Sequence, residues 1–147
     1  MTDTIRERTV REPKLLLPVL HSFYERVVPV AWPIARLACG FHLIVHGWGK
    51  ILRGGTVTGS TLAFGIFLTV IEFVGGICIT LGLFTRFFAA AVSIEMAYLT
   101  FVQYGNNGYG WRTDGYEYVL MWGMLSFAIA LRGGGNYSLD RVIGREL

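Results

Sequence analysis

A run of mostly apolar residues close to 20 long recurs four times in this chain, at about 29–51, 62–84, 87–104 and 116–131. A hydrocarbon core ~30 Å thick needs roughly 20 helical residues at ~1.5 Å each. The pattern therefore predicts an all-α membrane fold, a four-transmembrane-helix bundle of up-down topology. Composition agrees: 53% of the chain is hydrophobic and only 16% charged, against about 25% charged in soluble domains. Disorder and an ordinary soluble fold are excluded. The 19 glycines show no collagen period, two cysteines do not make a disulfide scaffold, and 147 residues hold a single domain.

The segments flanking the spans set the orientation. Residues 1–28 read as a cytoplasmic N-terminal segment, in which 15–28 are too short and too polar after Pro18 to cross a bilayer yet carry an apolar face. They predict an interfacial amphipathic helix. Residues 29–132 are the transmembrane domain, with Pro29 and Pro33 in the opening turns of the first span, where a missing N–H does least harm. Gly82 to Arg86 reads as a tight helical hairpin with Thr85 as cap of the third span, and Gly105 to Gly115 as a longer aromatic loop. Residues 133–147 form a cytoplasmic tail: Gly133-Gly134-Gly135 stops the fourth span, and Ser138 caps a short surface helix with Asp140 near the positive end of its dipole. About nine Lys and Arg lie on the side of the termini and Arg86, against Lys50, Arg53 and Arg112 opposite, which places both termini in the cytoplasm. No small-residue cleavage site follows the N-terminal segment, so no signal peptide is expected. The net charge of +3 is not gathered into a basic stripe with exposed aromatics, so no nucleic-acid partner is expected.

Ionisable groups inside spans cost roughly 2.5–3.5 kcal/mol at mid-helix, so each asks for a partner or a task. At 100° per residue Arg36, Cys39, Gly40, Leu43, His46, Gly47 and Lys50 share one face of the first span. Gly65, Thr69, Glu72, Gly75, Gly76, Ile79 and Gly82 share one face of the second, where small residues let backbones approach. Glu95 lies mid-way along the third span and Glu117 opens the fourth. Depth along the helices predicts two layers: a buried charge network of Arg36, Glu72 and Glu95 towards the cytoplasm, and His46, Lys50 and Glu117 towards the outside.

Two readings of these charges stand side by side. They are interhelical pairs that specify which helix neighbours which, or they line a polar pocket open sideways to lipid that binds a small amphipathic molecule. A quinone suits such a pocket: His46 or Lys50 donates to its carbonyls, a carboxylate such as Glu117 or Glu72 relays protons, and its tail lies in the bilayer. His42 and His46, at i and i+4, offer a weaker alternative as a metal or haem pair, for which another helix must complete the ligand set. Cys39 and Cys78 lie inside apolar stretches, outside any CxxC, and read as small packing residues.

Taken in order, Arg36, Gly40, His46-Gly47, Lys50, Glu72 with Gly75-Gly76, Leu81-Gly82 with Thr85-Arg86, Glu117-Tyr118 and the tail Gly133-Gly134-Gly135-Asn136-Tyr137-Ser138-Leu139-Asp140-Arg141 resemble the DoxX family over roughly residues 30–142. The tail is the most specific part. The resemblance implies a small four-helix protein of the bacterial inner membrane, often labelled an oxidoreductase and related to a membrane subunit of thiosulfate:quinone oxidoreductase. No flavin, NAD or haem motif is present, so no intrinsic cofactor is expected and a bound quinone is the one candidate. The expected role is the quinone-facing or anchoring subunit of a membrane oxidoreductase complex, with soluble or membrane redox subunits as partners. The alternative is a non-catalytic interaction and assembly module. Oligomeric state stays open.

Overall fold

The computed structural model describes residues 16–54 and 61–146. The charged run Arg6 to Lys14, the first residue of the expected interfacial helix and most of the first loop lie outside them. A 3-10 turn, Pro18–Leu20, leads into α1 (His21–Leu52), followed by α2 (Leu62–Leu81), α3 (Thr85–Tyr98) continued by a π-helical turn (Leu99–Gln103), α4 (Glu117–Arg132) and the short α5 (Leu139–Ile143). No strand occurs among the described residues. Among the described residues three helical stretches are long and apolar enough to cross a membrane: Pro18–Leu52, Leu62–Leu81 and Thr85–Gln103. α4 has 16 residues, which at ~1.5 Å each reach about 24 Å.

The expected boundary between an interfacial helix and the first span is absent. α1 runs unbroken through Pro29 and Pro33. A proline removes one backbone bond and crowds the preceding turn, but the 32-residue helix keeps enough bonds on either side to continue. Every residue from His21 to Ala31 is exposed, and burial begins at Trp32 and Arg36. α1 thus overhangs the bundle by its first ~15 Å, at ~1.5 Å per residue.

α1 and α2 pack through glycine. The backbones meet at Gly40 and Gly76: a Cβ on Gly76 would sit 2.8 Å from the Gly40 carbonyl oxygen and from the Ile44 nitrogen. About two turns further along α1, a Cβ on Gly47 would lie 2.7 Å from the Phe73 nitrogen. Both small-residue stripes expected for these helices are buried, apart from His46, which is exposed, and Lys50, which is partly so. Leu43, Ile79, Val92, Met96 and Ile129, one or more from each long helix, form the core. Phe41, Phe67, Phe87, Ile94, Phe101 and Met124 point outward, the apolar exterior that a bilayer accepts.

The tail helix α5 lies at the surface, with Leu139, Arg141, Val142 and Ile143 exposed, but one side of it is fastened to the bundle. It folds back under the bundle and becomes part of it. Ser138 caps α5, as its position predicts, accepting from the Arg141 backbone N–H at 3.3 Å. Asp140, however, is only 3% exposed and its carboxylate reaches the start of α3. It accepts from the backbone N–H of Phe84 (2.7 Å) and Thr85 (2.9 Å) and from the Thr85 hydroxyl (2.6 Å). Thr85 is therefore not the cap of α3, and a carboxylate from the far end of the chain is. That contact also holds Phe84 in the left-handed region at φ 47°, directly after Gly82 at φ 72° has closed α2 with a Leu83 N–H to Cys78 carbonyl bond.

Arginine side chains complete this end of the bundle. Arg36 donates one terminal nitrogen to the Gly134 carbonyl and the other to that of Tyr137, and Trp32 Nε1 donates to the Gly133 carbonyl at 2.9 Å. Arg86 donates to the carbonyls of Ala130, Leu131 and Arg132, the otherwise unpaired last turn of α4. Replacing Arg36 by Lys keeps the charge and loses the planar fork that spans two carbonyls. Arg36→Lys is expected to cost about 1.5–3 kcal/mol, the worth of one charged hydrogen bond. Thermal unfolding in detergent measures it, and a melting curve equal to wild type would remove the fork from the account of the tail.

Candidate functional site

At the other end of the α1–α2 contact lies a cluster of three charges from three helices. Lys50 Nζ is 2.8 Å from Glu72 Oε2 and 3.8 Å from Glu95 Oε1. The Glu72 and Glu95 side chains are 4% and 1% exposed and that of Lys50 13%. The glycine contacts create this meeting. Antiparallel pairing that sets Gly40 against Gly76 and Gly47 beside Phe73 brings Lys50, at the end of α1, level with Glu72. Val92 and Met96, both buried, point the intervening Glu95 of α3 at the same spot. Both oxygens of Glu95 are buried without a hydrogen-bond partner.

A cavity of about 470 Å³ opens beside the cluster, between α1 and α4. Lys50 and Glu72 form its charged wall, and His42 and His46 continue that wall along α1. Met96, Leu99 and Tyr104 come from the end of α3, and Tyr118, Val119 and Trp122 from α4. The His42 ring stacks on Trp122 with centroids 4.1 Å apart and planes 18° apart, and its other neighbour is His46 at 4.5 Å. Trp122 Nε1 is buried with no hydrogen-bond partner. The π-helical turn matters here. Its Tyr104 N–H to Leu99 carbonyl bond (2.9 Å) spans five residues, and a turn of that length sets Leu99 and Tyr104 on one face, both against the cavity.

The two expected layers are dealt differently. Arg36 does not meet Glu72 or Glu95: it binds the tail carbonyls described above. Lys50 takes its place. The reason is register: Arg36 is level with Gly82, where a Cβ would fall 2.7 Å from its Nη1, and Lys50 lies ~21 Å further along α1 at ~1.5 Å per residue. Glu117 is absent from the cavity lining, and its carboxylate accepts from the Trp111 backbone N–H at 3.2 Å, where it serves the loop before α4. His46 and Lys50 do line the cavity. Among the described residues no three His, Cys, Asp or Glu gather as a metal set; His42 stacks on the Trp122 ring and His46 lies beside His42. Cys39 and Cys78 are free thiols, and Cys39 packs its sulfur 3.5 Å from the Ser126 hydroxyl.

Met96, Leu99, Val119 and Trp122 are lining residues that sequence reasoning passed over, and Trp122 is the one among them with a polar donor. Its signal was present: a tryptophan one turn beyond Tyr118 and in mid-span, away from the interfaces where such rings usually anchor.

Residues 31–105 match the sequence profile of the DoxX family. An uncharacterized protein of Haemophilus influenzae is 33% identical over 124 residues, a match covering 79% of this chain and 92% of that protein. No solved structure matches the chain.

Proposed function

This chain belongs to the DoxX family, and we propose that it is the quinone-facing subunit of a membrane oxidoreductase complex. In this reading α4 is a fourth span, both termini face the cytoplasm, and the membrane is the bacterial inner membrane. The family resemblance and the distribution of Lys and Arg support that arrangement. Electrons come from a partner subunit, since the chain carries no redox cofactor motif of its own.

One observation carries the reading: an aromatic cavity whose inner wall is a half-buried lysine paired with buried carboxylates. Its volume falls in the usual range of ~300–1,000 Å³ for small-molecule sites. Lys50 and Trp122 Nε1 are donors for carbonyl oxygens, Tyr118 and Trp122 offer ring faces, and the apolar exterior between α1 and α4 suits an isoprenoid tail. A quinone supplies a two-electron, two-proton couple; the residues here hold the ring, orient it and exclude water. A role confined to helix pairing accounts for the Lys50–Glu72 contact. It leaves the cavity unused and gives Glu95 no hydrogen bond.

The test is equilibrium binding of a short-tailed quinone to the purified protein in lipid nanodiscs. Saturable binding is expected, weakened at least tenfold by Lys50→Met, as loss of a charged hydrogen bond worth about 1.5–3 kcal/mol requires. Trp122→Leu is expected to weaken it as well, while Glu117→Gln leaves it unchanged. Absence of saturable binding, or equal affinity in all three variants, would refute the proposal.

A further inference from the structure

One lysine faces two carboxylates at the bottom of the cavity, and all three side chains are withdrawn from solvent. Among the described residues Lys50 is the cation within 4 Å of these carboxylates. The polar groups on the surrounding elements leave that balance as it is. Thr69 and Thr100 spend their hydroxyls on carbonyls of their own helices, at 2.7 Å each. His42 stacks on Trp122, His46 is exposed, and Tyr104 and Tyr118 lie on the cavity lining. With both glutamates ionised the cluster would bury a net negative charge in a site where desolvation is most costly. Two carboxylates that share a site relieve this by keeping one proton between them.

We infer that Lys50, Glu72 and Glu95 form a proton store that holds one exchangeable proton on its carboxylates and gives it to an oxygen of the molecule in the cavity. Glu72 and Lys50 touch the cavity, whereas Glu95 lies behind them and is not part of the lining. Glu95 is thus the reserve, and Glu72 the group that faces the ligand. The use of the proton rests on the quinone reading. There, the store protonates the ligand oxygen beside Lys50 as two electrons arrive from a reduced partner protein, water supplies the second proton, and the emptied store is refilled from the aqueous side. The existence of the store rests on the cluster alone.

The experiment is infrared spectroscopy of the full chain in nanodiscs at neutral pH with no ligand added, with exchange into D2O to identify carboxylic acid C=O bands. Wild type is expected to show one protonated carboxyl per chain. Glu95→Gln and Glu72→Gln, which keep side-chain shape, are each expected to abolish it, because one lysine then faces one carboxylate. Lys50→Met is expected to double it. A wild-type spectrum without the band, or a band that survives in both Gln variants, overturns the inference. Circular dichroism and monodispersity check that each variant is folded, and the two Gln variants decide the matter if Lys50→Met is not. Quinone titration is a separate measurement, so a band without quinone binding fails the functional proposal alone, and quinone binding without a band fails the store alone.

Discussion

Asp140→Ala is expected to destabilise the protein by about 3–5 kcal/mol, the scale of removing one partner from a buried charged contact. The carboxylate holds three donors at once, the Phe84 and Thr85 backbone N–H groups and the Thr85 hydroxyl. The losses compound. The first turn of α3 loses its cap, Phe84 loses the bond that holds it at φ 47°, and the tail loses its anchor beneath the bundle. The Asp140 backbone N–H also donates to the Gly82 carbonyl at 2.8 Å, a bond that survives the substitution and keeps the tail nearby rather than in place. Thermal or SDS unfolding in detergent reads the effect. Asp140→Asn, which retains one acceptor oxygen, is expected to fall between the two. A stable Asp140→Ala protein would mean that the contacts left intact, from Arg36 and Trp32 to the tail carbonyls, from Arg86 to Glu146 and from the Asp140 N–H to Gly82, suffice to hold the tail.

A leucine at Gly76 is expected to be as damaging and to act at both ends of α1. The first added carbon already falls 2.8 Å from the backbone of Gly40 and Ile44, and backbone cannot rotate aside. Overpacking of this kind costs about 1–3 kcal/mol even where side chains can yield, and here α1 and α2 must separate. Separation pulls Lys50 away from Glu72, so quinone binding is expected to fall together with stability. Gly49→Ala is the control. Its Cβ meets nothing nearer than the Arg53 side chain at 3.8 Å, and exchanging helical glycine for alanine is expected to add about 0.5–1 kcal/mol of stability. Equal melting temperatures for Gly76→Leu and wild type would contradict the close contact.

The two predictions concern the α1–α2 contact and the tail fastened beside it, and that packing explains how far the sequence could be read. The faces were legible. The 3.6-residue period marked the Gly40–Gly47 side of α1 and the Gly65–Gly82 side of α2, and those are the surfaces that meet. Charge type was legible too, since ionisable groups within apolar runs had to turn inward, and Arg36, Glu72 and Glu95 are buried. Partner identity was not. A shift of a few residues between antiparallel helices leaves every stripe intact and changes which charge faces which, so depth counted from assumed span ends put Arg36 where Lys50 stands.

The tail shows the same limit. Its glycines and the Ser138 cap announced a stop and a short helix, and both formed. Nothing local says that Asp140 reaches across 55 residues to cap α3, because a cap supplied by another part of the chain leaves no pattern at the helix it serves. The sequence by itself determined the helical membrane class, the inward faces of α1 and α2 and the set of groups that needed partners, because periodicity and the cost of charge in lipid act along the chain. Only the tertiary structure decided that Lys50 meets Glu72 and Glu95, that Arg36 and Asp140 fasten the tail, and that a cavity lies between α1 and α4. Those depend on helix register and on contacts between distant segments, which backbone-to-backbone glycine packing sets and linear pattern does not encode.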